Sequence, residues 1–366
     1  MIKILTVTGS RSEYDLLYPL LKNLNNHKKI ILNILCCGAH LNKDYGQTIN
    51  YIKKDKFENI ILLKTIKNKT NNKKDTFESY KYLSDKVGKI ILDKKINLIL
   101  LLGDRYEAHS SATAAFFLNI PIVHISGGDT SYGSMDEYFR NSISLMSDLH
   151  FAKTKIHKDK LLNFGINKKK IYVTGSLSTE NYVDKFYNKF IIDKPFALVT
   201  FHPVTNSINK KDNEIDNLFK NIKLHKNLNF LITASNHDTG GNEINIKIKK
   251  FVKFNKNTKF IHNLGRDLYY QAMNECEFMI GNSSSGIIES MIYRKPSINI
   301  LPRQLGRQSN KNVINCNNNF NEIKVSITKA ISKKFKNKCQ KLKNHFRNDN
   351  NKPSDIMIKK ILKYYG

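Results

Sequence analysis

Short apolar runs alternate with longer amphipathic stretches along almost the whole chain. Runs of strand length lie at Ile2–Thr8, Ile30–Cys37, Ile60–Leu63, Leu98–Leu102, Ile122–Ile125, Leu149–Lys153 and Ile171–Thr174. A second series follows at Ala197–Phe201, Asn229–Thr233, Lys259–Ile261, Phe278–Ile280 and Ser297–Ile300. Helical periodicity between them predicts helices near Glu13–Asn25, Thr76–Asp93, Glu107–Leu118, Glu137–Met146, Asp212–Lys223, Arg266–Asn274 and Gly286–Tyr293. Strands that are apolar on both faces and separated by helices predict parallel sheets covered on both sides.

The pattern restarts halfway. "ILTVTGSR" (Ile4–Arg11) and "FALVTFHP" (Phe196–Pro203) are each a short apolar strand ending in a turn with a ligand-capable residue, Arg11 or His202. At 366 residues the chain exceeds one ordinary core. The expected fold is therefore α/β, with two Rossmann-like, doubly wound domains at residues 1–178 and 179–350 and a boundary within Ser176–Lys194. Residues 351–366 read as a last helix after a polar loop, free to pack back on the first domain. Open α/β sheets bind ligands beyond the carboxyl ends of their strands. The site is thus expected in a cleft between the two domains, and its residues in strand-end loops.

Composition removes several classes of function. Lys and Arg number 61 against 31 Asp and Glu, a net charge of +30. The lysines are spread among asparagines, as in "KNKTNNKKD" (Lys67–Asp75), and no nucleic-acid-reading motif accompanies them. No nucleic-acid partner is expected, although a basic surface would steer an anionic substrate inward. The longest apolar runs, such as "NLILLL", are too short to cross a bilayer. With no cleavable signal in the first residues, a cytoplasmic protein without a membrane partner is expected. The five cysteines (Cys36, Cys37, Cys276, Cys316 and Cys339) show neither CxxC nor zinc-like spacing and read as packed thiols. DxD, HExxH and GxGxxG are absent, so neither a metal nor another cofactor is expected.

The candidate chemistry falls after strands. In "GNSSSGIIES" (Gly281–Ser290), a Gly/Ser turn opens a helix whose first N–H groups suit a phosphate. Ser283, Ser284 and Ser285 would cap that helix or donate to the same oxygens, and Glu289 suits a neutral diol such as a ribose. "TGSRSEYD" offers Arg11, and guanidinium favours bidentate phosphate contacts. "LLGDRYEAHS" places Asp104 and Arg105 at a strand end, as a site or as a buried ion pair. The stretch from His124 to Ser144 carries Gly127-Gly128, Asp129, Asp136, Glu137 and Arg140, with Asp136 and Arg140 spaced i, i+4. "VTFHPVT" sets His202 at a strand end as acid, base or phosphate donor, or as a packed histidine. "ASNHDTGGN" and "NILPRQLGR" add Asn236, Arg303 and Arg307.

Taken in order, "TGSRSEYD", "LGDRYE", "HISGGDTSYGSMDEYFRNSISLMSDLHF", "VTGSLSTEN", "FHPVT", "SNHDTGG", "IGNSSSGIIES" and "INILPRQLGR" make the chain resemble the hydrolysing UDP-N-acetylglucosamine 2-epimerases of sialic acid synthesis. The resemblance runs over nearly the whole length. It implies a GT-B arrangement, with UDP held mainly by the C-terminal domain and a homodimer or homotetramer in solution. It implies UDP contacts at Arg11, Arg105, His202, Asn236, Ser283, Ser284, Glu289 and Arg303, and catalytic carboxylates at Asp104 and Asp136 with Arg140 close by. Members with "HIEGGE" use the first Glu in catalysis; here that position is Ser126 and the later Glu is Asp129. Asp129, Asp136 and His202 remain candidates for the base at C2. The implied reaction converts UDP-GlcNAc and water to N-acetylmannosamine and UDP, with UDP-2,4-diacetamido-2,4,6-trideoxy-glucose, on the way to legionaminic acid, as the alternative donor. A GT-B glycosyltransferase is the alternative enzyme class. The non-hydrolysing epimerases carry "GTRPE…K" in the first loop and a Gly-Gly-rich loop with paired Glu in place of "GNSSSGIIE"; neither occurs here.

Overall fold

The computed structural model describes residues 1–42, 47–65, 73–181, 191–204, 215–236 and 240–366. Among these, thirteen strands form two parallel sheets. The first contains β1 (Ile2–Thr8), β2 (Ile30–Cys36), β3 (Ile60–Leu62), β4 (Leu98–Leu102), β5 (Ile122–Ile125), β6 (Leu149–Ala152) and β7 (Ile171–Val173) in the order β3-β2-β1-β4-β5-β6-β7. The second contains β8 (Phe196–Thr200), β9 (Asn229–Thr233), β10 (Thr258–Ile261), β11 (Met279–Gly281), β12 (Ser297–Ile300) and β13 (Val313–Cys316) in the order β10-β9-β8-β11-β12-β13. Both therefore run 3-2-1-4-5-6 from their own first strand, and the first adds a seventh. The order reverses between β1 and β4 in one sheet and between β8 and β11 in the other. In each sheet, the loops leaving its two reversal-point strands flank a crevice of the kind in which doubly wound folds bind ligands.

Alternation along each strand explains the two-sided burial. On β1, Ile2 and Ile4 point to α1 (Arg11–Asn25), while Leu5 and Val7 point to α3 (Lys73–Lys94) and α4 (Tyr106–Phe117). On β8, Ala197 and Val199 face one core, and Phe196 and Leu198 face the other. Each buried Leu or Ile contributes about 1.5–3 kcal/mol. Helix α1 buries Tyr14, Leu17, Leu20, Leu21 and Leu24 at helical spacing. The C-terminal helix, Pro353–Tyr365, adds Met357 and Ile361 to that core, and Glu180 accepts from the Ser354 N–H and Oγ at 2.7 Å each. By contacts the chain forms two units: residues 1–129, 136–181 and 345–366, and residues 130–135 with the described residues of 191–344.

Several elements escape the periodicity. Strand β13 is short and its Asn315 is exposed, so it lacks a continuous apolar run. Helices at Lys155–Asn163, Gly241–Lys253, Phe320–Ile331 and Lys333–Gln340 were not foreseen. The last buries only Phe335 and Cys339, one i, i+4 pair in a lysine-rich sequence. The helix expected over Gly286–Tyr293 is α10 (Ser284–Ile288) with a 3-10 turn at Ser290–Ile292. Parts of four expectations lie outside the described residues: the boundary at 182–190, Thr205 of "VTFHPVT", the helix start at 212–214, and His237 to Thr239 of "ASNHDTGGN". No helix among the described residues is long and apolar enough to cross a membrane. All five cysteines are buried, and burial pushes the Cys36 and Cys276 thiols up to about 12.

Candidate active site

In the first unit the candidate carboxylates belong to one buried charge network. Helix α5 (Asp136–Met146) carries Arg140, only 1% exposed. Its Nε donates to Asp104 Oδ2 at 3.0 Å, and Nη2 binds the same oxygen. Nη1 donates to Glu137 Oε2 at 2.7 Å and to the Asp129 carbonyl at 3.2 Å. Burial opposes the charge on Arg140, but Asp104, Asp129 and Glu137 outweigh it and hold its pKa above the ordinary arginine value. Lys160 joins the other Glu137 oxygen at 2.6 Å and the Asp129 carbonyl at 3.0 Å. The Asp129 carboxylate is buried against Lys153 at 2.6 Å and His157 at 3.4 Å. Asp136 is half-buried at the first residue of α5.

His124 is a packed residue. Its Nε2 donates to the Gly103 carbonyl at 2.8 Å, so Nδ1 accepts from Ser144 Oγ at 3.0 Å. Burial holds this ring neutral, down to about 3. The link fixes the turn that presents Asp104. Ser126, in the turn after β5, has φ of 69° and gives its N–H to the Phe151 carbonyl. A non-glycine residue in that left-handed region is uncommon.

A second charged cluster lies at the ends of β1 and β4. Arg105 Nε meets Glu107 at 3.2 Å and Glu13 at 3.9 Å. Burial pushes the Glu13 carboxyl up to about 8, against the pull of Arg105 and with help from Glu107. Arg11 opens α1 and pairs with Asp15 at 3.7 Å.

The second unit gathers mostly uncharged groups around Arg303. The His202 N–H donates to Asn282 Oδ1 at 2.7 Å, and Asn282 Nδ2 donates back to the His202 carbonyl at 2.8 Å. This pair joins the loops after β8 and β11. His202 Nδ1 accepts from the Asn236 N–H at 3.1 Å, so the neutral ring carries its proton on Nε2. Arg303 and Gln304 both donate to the Asn282 carbonyl, at 3.3 and 3.0 Å. Ser283 caps α10, its Oγ accepting from the Ser285 N–H, and Ser285 Oγ lies 2.6 Å from Tyr269 Oη. Ser283 and Ser284 are half-buried, while Glu289 closes α10 at 8% exposure. With only five residues, α10 carries a much smaller dipole than expected, so its first amides and hydroxyls are what a ligand would meet. Gly281 is required here: a Cβ would lie 1.9 Å from the Thr200 carbonyl oxygen.

Asp104, Asp129 and Arg140 thus share one network, and His202, Asn236 and Arg303 are tied through Asn282. Sequence reasoning did not single out Glu13, Lys153, His157, Lys160 or Asn282. For Glu13, Lys153, His157 and Asn282 the available signal was a position just past a strand or on the adjoining first helical turn; Lys160, in the second turn of Lys155–Asn163, carried none. Among the described residues, no group of three or more His, Cys, Asp or Glu is placed to hold a metal ion.

Residues 22–358 match the family model described as UDP-N-acetylglucosamine 2-epimerase. The GDP/UDP-N,N'-diacetylbacillosamine 2-epimerase (hydrolyzing) of Campylobacter jejuni is 34% identical over 346 residues, covering 91% of this chain and 88% of that protein. The polysialic acid biosynthesis protein P7 of Escherichia coli is 34% identical over 359 residues, 96% of this chain and 91% of its own. The Neisseria meningitidis UDP-GlcNAc 2-epimerase, solved with UDP-GlcNAc, superposes with a TM-score of 0.80 at 19% identity, covering 99% of this chain and 100% of that one. That likeness shows the fold, which is GT-B-like. The chain belongs to the UDP-N-acetylglucosamine 2-epimerase family, alongside its hydrolysing members.

Proposed function

We propose that this protein is a hydrolysing UDP-sugar 2-epimerase acting on a 2-acetamido sugar, with UDP-GlcNAc and UDP-2,4-diacetamido-2,4,6-trideoxy-glucose as the two donors to test. The relatives named for diacetylbacillosamine are 34% and 31% identical, and the Neisseria meningitidis UDP-N-acetylglucosamine 2-epimerase is 27% identical. The observation that carries the reading is the Asp104 carboxylate, held at the end of β4 by a guanidinium that is itself almost fully buried.

In the proposed reaction a carboxylate takes the C2 proton while the C1–O bond to UDP breaks, leaving a C1=C2 double bond. Water then adds its hydroxyl to C1, and a proton returns to C2 from the opposite face. The products are UDP and the free 2-epimer, N-acetylmannosamine when the donor is UDP-GlcNAc. The proposed base follows from the partners of the candidates. Asp129 is engaged by Lys153 and His157. His202 presents a proton on Nε2 and so acts as a donor. Asp136 is the assigned base, and Asp104 directs water and the returning proton. The first domain, residues 1–178, works on the sugar. UDP is gripped by Arg303, His202, Asn236, Ser283 and Ser284, with Arg11 and Arg105 on the diphosphate and Glu289 on the ribose; the second domain, residues 179–350, supplies most of these.

Proton NMR in D₂O with each donor tests the reading. UDP release with deuterium at C2 of the free sugar supports it. UDP release without that deuterium points to a transferase or simple hydrolase and overturns it.

A further inference from the structure

Two buried carboxyl groups at the ends of β1 and β4 have no part in the chemistry above. Glu107 is 1% exposed, on the first turn of α4. Its carboxyl sits in a cradle of two glycines: a Cβ at Gly9 would lie 2.6 Å from it, and one at Gly38 would lie 2.9 Å away. Glu13, on the first turn of α1, reaches back to accept from the Gly9 N–H at 3.0 Å and from Ser10 Oγ at 3.2 Å. Both carboxyls converge on the single guanidinium of Arg105. Capping α1 accounts for Glu13 alone. It does not account for a second carboxylate packed where two loops leave no room for a Cβ. Burying ions seldom adds net stability, so such a cluster points to a positional role.

We propose that Glu13 and Glu107 are positioning residues: they clamp Arg105 and lock the β1 loop, which carries Arg11, to the β4 loop, which carries Asp104. The inference rests on the reading of Arg11 and Arg105 as diphosphate ligands. The charge of the clamp then matters. With Glu13 protonated, the glutamates and Arg105 sum to zero. With Glu13 ionised they sum to −1, beside an anionic ligand. The groups facing Glu13 are Arg105 and Glu107 from the β4 side, Ser10 from its own loop and Cys37 from the end of β2; burial first, then both glutamates, hold that thiol well above its ordinary range, so it stays neutral. Diphosphate binding should therefore weaken as pH rises through about 8. A single charge entering a partly shielded site a few ångströms from a ligand changes affinity by about tenfold.

The test is UDP affinity by calorimetry from pH 6.5 to 9.5, with kcat and KM measured alongside, for the wild type, Glu13→Gln and Glu107→Gln. The wild type should lose about tenfold in UDP affinity across that range, and Glu13→Gln should show no such fall. Glu107→Gln should raise KM and the UDP Kd by about tenfold or more at pH 7, because Arg105 loses its anchor. A folded Glu107→Gln with wild-type Kd, or a Glu13→Gln protein that keeps the alkaline fall, overturns the clamp. If Glu107→Gln does not fold, the Glu13→Gln profile decides alone. A wild type that binds no UDP at any pH removes the functional reading itself, and the clamp with it.

Discussion

Asp104→Asn and Arg140→Met should separate chemistry from stability within one ion pair. Asp104 is 23% exposed at its side chain and Arg140 is 1% exposed. In Asp104→Asn the amide oxygen still accepts from Arg140, which also keeps Glu137 and the Asp129 carbonyl. Breaking a buried pair by removing one partner costs about 3–5 kcal/mol. With Asp104 partly exposed and the acceptor retained, the loss should be about 1–2 kcal/mol. Arg140→Met removes the donor shared by two carboxylates and a carbonyl, so the full 3–5 kcal/mol is expected. For turnover, Asp104→Asn deletes a proton-transfer group, which contributes about 10²–10⁴ in rate. UDP affinity should stay within a few-fold, because the nucleotide is assigned mainly to the other unit.

Urea denaturation at pH 7 gives the stability difference, a coupled assay gives UDP release, and calorimetry gives UDP affinity. An Asp104→Asn protein that forms the free 2-epimer at the wild-type rate, followed by NMR beside UDP release, would take Asp104 out of the chemistry. An Arg140→Met protein losing less than about 1 kcal/mol would show that these charges are not a desolvated network, and the reasoning from burial would fail with it.

Two further outcomes are expected. Arg303→Ala should weaken UDP binding by about 10–100-fold, the size of one lost charge-assisted hydrogen bond, while the fold survives; unchanged affinity in a titration would remove Arg303 from the site. The pH dependence of stability should carry the mark of His124, held down to about 3 by burial. A histidine with a lowered folded pKa contributes stability above pH 6.5 that is lost as pH falls toward 3. The integrated loss is on the order of 5 kcal/mol, and His124→Asn should flatten that part of the acid limb in urea titrations.

Much of the fold is written in the chain because strands buried on both faces must read as unbroken apolar runs. Ile2–Thr8, Leu98–Leu102, Ile122–Ile125, Asn229–Thr233 and Ser297–Ile300 keep the bounds that their composition predicts. Strand β13 and the helix Lys333–Gln340 do not, because a sheet edge and a lysine-rich surface helix need only one or two buried side chains. In the site, strand-end placement makes Asp104, His202 and Arg303 visible. The partners that set their protonation and direction come from far along the chain. Arg140 reaches Asp104 across 36 residues, and Asn282 reaches His202 across 80. No local pattern encodes such pairs, since each is satisfied only after the sheets form. Ser126 shows the same limit. A missing carboxylate was legible, but not that neighbouring Asp129 is committed to Lys153, whose distance along the chain is 24 residues.

The two units share a strand order yet gather different side chains, ion-paired carboxylates in one and aligned donors in the other, and the proposed reaction accounts for the difference. A carbon acid such as the C2–H yields its proton only to a carboxylate kept from full hydration. Withdrawing carboxylates from water is costly unless cations come with them. Beside the proposed base Asp136, the first unit withdraws Asp104, Asp129 and Glu137 from water with Arg140, Lys153 and Lys160 as their counter-charges. A nucleoside diphosphate brings its own charge and needs donors that are already aligned. The second unit offers these as His202 Nε2–H, the first amides of α10, serine hydroxyls and Arg303, with Asn282 fixing the loops between them. Moving either set to the other sheet would fail on this physics: amides and hydroxyls cannot take a proton from carbon, and a cluster of carboxylates would repel the diphosphate.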